Sequence, residues 1–170
     1  GVKLTSLIIS LSGNSVWPAL ILTGLACLLL GMEVPTTAAY VICVSVAGPA
    51  LVDMGLELLQ VHLFVFWFAL LSTITPPVCG TVFIASGMVS ENWLKVSITS
   101  MSLGIGLYFI PLAMIANDEI IKLDTEFSYA IIAFVKIALS LVMLSYALIT
   151  KSLIFLRLLA FGLGMILMFV

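Results

Sequence analysis

From Leu58 to Ser90 the chain carries no Asp, Glu, Lys or Arg, yet two adjacent prolines, Pro76 and Pro77, sit inside that run. As one straight helix the run would extend roughly 50 Å at the α-helical rise per residue. A bilayer's hydrocarbon core is about 30 Å thick and takes about 20 residues to cross. The run is therefore too long for one straight span and too short for two spans with a connection. Proline cannot donate the i→i−4 hydrogen bond and clashes with the preceding turn, and it pushes its predecessor out of helical geometry. The run reads as one discontinuous span: a helix, an unwound Thr75-Pro76-Pro77-Val78-Cys79-Gly80, and a second helix.

Composition supports a membrane setting. The chain is 64% hydrophobic and 8% charged, against about 45–50% and about 25% in soluble domains. Its apolar stretches are continuous rather than alternating, which favours helices over an outer-membrane barrel. No basic cluster exists that would hold nucleic acid. Cys27, Cys43 and Cys79 are odd in number, far apart in sequence and all within apolar runs. They read as buried free thiols rather than as a disulfide framework or metal site. Gly1 is not a start residue, and the sequence reads as an excerpt from a longer chain.

A second interruption precedes the first. Two apolar arms, Trp17 to Met32 and Ala38 to Val52, are each short for a full span and flank the polar Gly-Met-Glu-Val-Pro-Thr-Thr at 31–37. This pattern predicts a re-entrant hairpin, tolerated at depth only where protein or a water-filled cavity covers its tip. Further on, a plain span is expected over 96–117, then a polar loop over 117–126. Next comes a span over 127–150 with Lys136 inside, and last an apolar piece over 151–170 with Arg157 inside. Counting Lys and Arg alone, Lys95, Lys151 and Arg157 fall inside and Lys122 outside. The Asp53-to-Glu57 loop then faces outside.

Broken helices expose carbonyls that coordinate small cations and N–H groups that attract anions. A pair of interrupted segments is the sequence pointer to a secondary transporter's site. Thr36, Thr37, Ser72, Thr73, Thr75 and Thr81 add neutral hydroxyl oxygens near the two breaks. Against this, Pro kinks and Ser/Thr are ordinary in membrane helices. Two Thr-Pro-rich breaks in one chain favour the functional reading.

The segments Gly-Met-Glu-Val-Pro-Thr-Thr-Ala-Ala-Tyr at 31–40, Ala-Gly-Pro-Ala-Leu-Val-Asp-Met-Gly at 47–55, Val-His-Leu-Phe-Val-Phe-Trp-Phe-Ala at 61–69 and Ile-Thr-Pro-Pro-Val-Cys-Gly-Thr-Val-Phe-Ile-Ala-Ser-Gly-Met at 74–88 occur in one order. Together they resemble the large permease subunit of tripartite ATP-independent periplasmic (TRAP) transporters, the DctM-like family. The likeness is closest to the variety with small and large membrane subunits fused, and it covers roughly residues 1–117. The resemblance implies an all-α, elevator-type secondary transporter of two inverted repeats, of which this C-terminal portion would be the second. Residues 1–117 would form a transport-domain repeat, with the hairpin at about 17–52, the discontinuous helix at about 58–90 and a span at about 96–117. Residues 118–170 would form C-terminal transmembrane helices. It further implies Na+-coupled import of a small organic acid across the cell inner membrane, with a periplasmic binding protein and a small membrane subunit as partners and Na+ as the coupling ion. Carried over position by position, Gly31, Pro35, Thr36, Thr37, Thr75, Pro76, Pro77 and Gly80 fall where the family binds Na+. Thr36, Thr37, Tyr40, Thr73 and Thr75 fall to the substrate.

One position departs from the pattern. Fused members read Gly-Met-Gly-Leu-Pro-Thr-Thr, and Glu33 stands here in place of the second Gly. A carboxylate at a tip within the membrane is costly unless paired or hydrated. It either adds a coupling group, which allows H+ coupling on the same fold, or points into an aqueous vestibule. His62, the one histidine, reads as an interfacial or packed residue rather than a relay, which would need a chain of titrating partners. Lys136 is expected to meet an acidic group of a neighbouring repeat, or to mark a shifted span.

Other functions fit less well. Gly-x-Ser-x-Gly and His-Glu-x-x-His are both missing, and one histidine cannot supply an intramembrane enzyme. A channel needs repeated polar rings. A purely structural subunit gains nothing from unpaired backbone at depth.

Overall fold

The computed structural model describes residues 2–13, 15–32, 34–122, 127–150 and 153–169. Among them every regular element is helical. In chain order these are α1 (Val2–Ser12), α2 (Val16–Leu30), α3 (Thr36–Asp53), α4 (Leu58–Leu71), α5 (Gly80–Val89), α6 (Trp93–Leu103), α7 (Ile105–Ala116), a 3-10 turn (Asp118–Ile121), α8 (Phe127–Ile149) and α9 (Ile154–Phe169). The protein is an all-α membrane protein. By length and composition α3 and α8 can each cross a bilayer alone, while α2, α4, α5 and α9 are shorter apolar helices.

The plain span expected over 96–117 is interrupted. Gly104 leaves helical geometry between α6 and α7, at φ −92° and ψ 13°, and serves as the N-cap of α7. Glycine is the weakest helix former after proline, so an apolar run alone does not keep the helix continuous there.

Two compact units divide the chain, Gly1–Met101 and Ser102–Val170. α7 falls in the second unit, where it packs with α8 and α9.

In the first unit α1 lies on α2 and α3, and α2, α3 and α4 pack on one another. Thr5 Oγ1 ties α1 to α3 by donating to Val46 O at 2.7 Å. Lipid is as apolar as the side chains, so close packing rather than water exclusion selects helix partners here. Gly24 illustrates the requirement: a Cβ there would lie 3.0–3.3 Å from three ring atoms of Phe68. Phe68 in turn stacks on Phe64 with ring centroids 4.8 Å apart. Cys27 on α2 and Cys43 on α3, far apart in sequence, lie beside each other. The hairpin connection folds back and brings distant positions level. All three cysteines are free and buried.

The second unit centres on Ala113, Ile137, Leu144 and Met168. Gly164 lets α9 approach α8 closely: an added Cβ would meet Leu144 Cγ and Ser140 O at 3.2 Å. The Ser140 hydroxyl donates to Gly164 O. Among the described residues Lys136 is held by an amide. Its Nζ donates to Asn117 Oδ1 at 2.7 Å. Asn117 Nδ2 in turn donates to Ala113 O and Met168 O, each at 2.9 Å. A buried amide thus joins the C-terminal ends of α7 and α9 to a cation on α8, a placement that suits the negative ends of both helix dipoles.

Candidate functional site

Two helices, α2 and α3, flank the polar segment at 31–35. α2 ends at Leu30, and Gly31 caps it by donating its N–H to Cys27 O at 2.9 Å. Pro35, at φ −52° and ψ 140°, then sets the N-cap of α3, with Ala39 N–H closing on Pro35 O at 2.9 Å. Proline suits this position because its fixed φ feeds a helix start. Thr36 and Thr37 are the first two residues of α3; Thr36 is half-buried and Thr37 exposed. Glu33 lies outside the described residues.

The discontinuous helix is also present, with different limits. α4 begins behind a capping box in which Glu57 N–H donates to Gln60 Oε1 at 2.9 Å. It ends at Leu71, and α5 begins at Gly80. The break therefore opens at Ser72 rather than Thr75, and Gly80 starts a helix instead of lying in the unwound part. Local hydroxyls explain the early opening. Ser72 Oγ donates to Ala69 O at 2.7 Å, Thr73 Oγ1 to Leu70 O at 2.8 Å and Thr75 Oγ1 to Leu71 O at 2.7 Å. Thr73 and Ile74 tighten into i→i−3 backbone bonds on Leu70 O and Leu71 O. Side-chain bonds of this kind compete with the helical ladder.

The prolines complete the break. In a continuous helix positions 76 and 77 would donate to Ser72 O and Thr73 O, and proline has no N–H to give. Thr73 O instead accepts from Thr81 Oγ1 at 2.7 Å. Among the described residues the carbonyls of Ser72, Pro76 and Pro77 accept no backbone N–H. The Pro76–Pro77 bond is cis.

The two interruptions meet. A Cβ added at Gly31 would overlap Ser72 Oγ and lie 2.8 Å from Ser72 Cβ. Ser72 is fully buried. The hairpin tip thus rests on the first residue of the break, and only glycine allows that approach. At the far end of the break, buried Cys79 donates its S–H to Ser97 Oγ of α6 at 3.8 Å. Ser97 was not among the residues singled out by sequence, because Lys95, Thr99, Ser100 and Ser102 on the same helix gave it no distinguishing signal.

Of the sequence-assigned residues, Gly31 is brought onto the break. Thr73, Thr75 and Pro76 lie half-buried within it, while Pro35, Thr37, Pro77 and Gly80 are exposed at the two breaks. Tyr40 faces α4. Its hydroxyl lies 2.6 Å from His62 Nδ1, and its ring meets Phe66 edge-on at 5.9 Å. Tyr40→Phe is expected to cost about 1 kcal/mol, the worth of a single hydrogen bond. A melting temperature lowered by a few degrees together with weakened substrate affinity is the expected reading, and unchanged affinity would take Tyr40 out of the substrate contact.

Chemically the junction offers neutral oxygens. Among the described residues no group of His, Cys, Asp and Glu could hold a metal. The hydroxyls of Thr73 and Thr75 have their protons directed at helix carbonyls, which turns their lone pairs outward as acceptors. Such an arrangement suits a small hard cation better than a carboxylate, which needs donors.

The family model for the DctM component of tripartite ATP-independent periplasmic transporters matches residues 1–124. No curated protein and no solved structure matches the chain.

Proposed function

The chain belongs to the DctM component family of tripartite ATP-independent periplasmic transporters, and from that premise we propose that it is the part of a Na+-coupled permease that carries one hairpin and one discontinuous helix of the transport site. The observation that carries this reading is the seating of Gly31 on Ser72. It joins the hairpin tip to a break whose Thr73 and Thr75 hydroxyls direct their protons at helix carbonyls. In secondary transporters, unwound carbonyls and half-helix C-termini hold the coupling ion while half-helix N-termini meet anionic substrate groups.

On this reading Na+ binds at the break, with Thr75 Oγ1, the free carbonyls near Pro76 and Pro77, and the tip at Gly31, Pro35, Thr36 and Thr37 as the candidate ligands. The N-terminal N–H groups of α3, at Thr36 and Thr37, and of α5, at Gly80, face a carboxylate of a small organic acid. Tyr40 and Thr73 are the outer candidates for substrate contact. The hairpin and discontinuous helix make the second of two inverted repeats. A periplasmic binding protein delivers the substrate, and a small membrane subunit, fused in the same polypeptide or separate, completes the permease in the cell inner membrane.

A second reading keeps the fold and replaces Na+ with H+, because Glu33 lies in the tip sequence where a titrating group would couple directly. Uptake of labelled dicarboxylates and sugar acids into proteoliposomes separates the two. Accumulation driven by an inward Na+ gradient, insensitive to a pH gradient and unchanged by Glu33→Gln, is the expected result. Accumulation driven by a pH gradient and lost in Glu33→Gln would replace sodium coupling with proton coupling.

A further inference from the structure

We propose that the cavity between the end of α8 and the start of α9 holds the headgroup of an anionic phospholipid, with Arg157 as its phosphate ligand. The site is a cavity of about 240 Å³ lined by Ala147, Leu148, Ile154, Arg157, Leu158 and Phe161. Its walls are apolar and lipid-facing: Ile154 is 75% exposed and Leu158 67%. One charge sits among them. Arg157 is half-buried, and its Nε donates to Ala147 O at 2.7 Å.

That bond fixes the guanidinium against the last turn of α8, where a cation complements the helix dipole. It uses one of five N–H donors. Among the described residues the terminal nitrogens have no partner, and sequence explains why. From Phe127 to Val170 the chain contains Lys136, Lys151 and Arg157 and no Asp or Glu. Lys136 is already engaged by Asn117. The positive charge at Arg157 therefore has no intramolecular counterpart along α8 and α9, and the bilayer supplies one.

Geometry favours a phospholipid over a free anion. Guanidinium binds phosphate bidentately, and the exposed Leu148, Ile154 and Leu158 beside it provide an apolar track for acyl chains. A soluble phosphate would leave that track uncovered. The proposal concerns the facing ends of α8 and α9 and is separate from the ion and substrate site.

The test is native mass spectrometry of the purified permease after equilibration in equal parts phosphatidylglycerol and phosphatidylcholine. Wild type is expected to retain phosphatidylglycerol over phosphatidylcholine by about fivefold, the factor for one basic residue at an anionic surface. Arg157→Gln is expected to bring the ratio to about one on the same basis. Because Arg157→Gln also removes the bond to Ala147 O, Leu158→Trp serves as a second variant. It narrows the track at an exposed position, keeps the arginine and is expected to lower retention of both lipids. Equal retention of the two lipids by wild type would overturn the proposal, as would an unchanged ratio in Arg157→Gln. A photo-crosslinker at Leu158 that yields protein dimers instead of lipid adducts would overturn it in favour of a covering protein surface.

Discussion

Gly31→Ala is expected to weaken sodium binding and substrate affinity by about five- to 150-fold, the range that ~1–3 kcal/mol of overpacking represents. The added methyl would overlap Ser72 Oγ and lie 2.8 Å from Ser72 Cβ and 3.0 Å from Cys27 O. Ser72 cannot yield easily, because it is fully buried and its hydroxyl is bound to Ala69 O. The tip must therefore lift from the break. Ser72→Gly removes both clashing atoms and is expected to restore most of the loss in the double variant, although alone it gives up the bond to Ala69 O. A double-mutant cycle with ion and substrate titration measures this coupling. Additive losses would show that the tip and the break act independently.

Asn117→Ala is expected to destabilise the second unit by about 2–4 kcal/mol, since it leaves a lysine within a span and Met168 O without their side-chain partner, while Ala113 O keeps the backbone N–H of position 117. The drop in melting temperature should be on the order of 10 °C. Asn117→Asp distinguishes the contributions. It gives Lys136 a carboxylate but loses the donor to Ala113 O and Met168 O. An intermediate melting temperature is expected. A value equal to wild type would mean that the carbonyl bonds contribute nothing.

How much of this was legible in the sequence depends on the range of the interaction. The hairpin arms and the Pro76–Pro77 break follow from charge-free run lengths and from proline's missing N–H, both local properties. The break's true start at Ser72 was less visible. It depends on three consecutive hydroxyl-to-carbonyl bonds, a competition that residue type permits but does not decide. The interruption at Gly104 is similar, because glycine lowers helix propensity without forbidding a continuous span. Partner choice across helices was not legible. Sequence periodicity puts His62 on α4 and Tyr40 on α3 without saying that they meet. It likewise leaves Lys136 in want of an anion, where the fold supplies a buried amide from the end of α7. Ser97 looks like an ordinary membrane serine until its neighbour Cys79 is known, and nothing in the sequence sets Gly31 against Ser72. What the candidate site owed to sequence was its motif positions. What it owed to the fold was the contact between the two breaks.

The central claim is that the joined breaks bind Na+. The most direct measurement is the melting temperature of the purified permease in detergent, titrated with Na+ against K+ at constant ionic strength. A bound ion stabilises by RT ln(1 + [Na+]/Kd), about 2.7 kcal/mol at a hundredfold excess over Kd. The account predicts a sodium-specific rise that Thr75→Val largely removes, because that change deletes an oxygen whose proton is already committed to Leu71 O. Identical curves in the two salts, or a sodium response that Thr75→Val leaves intact, would contradict it.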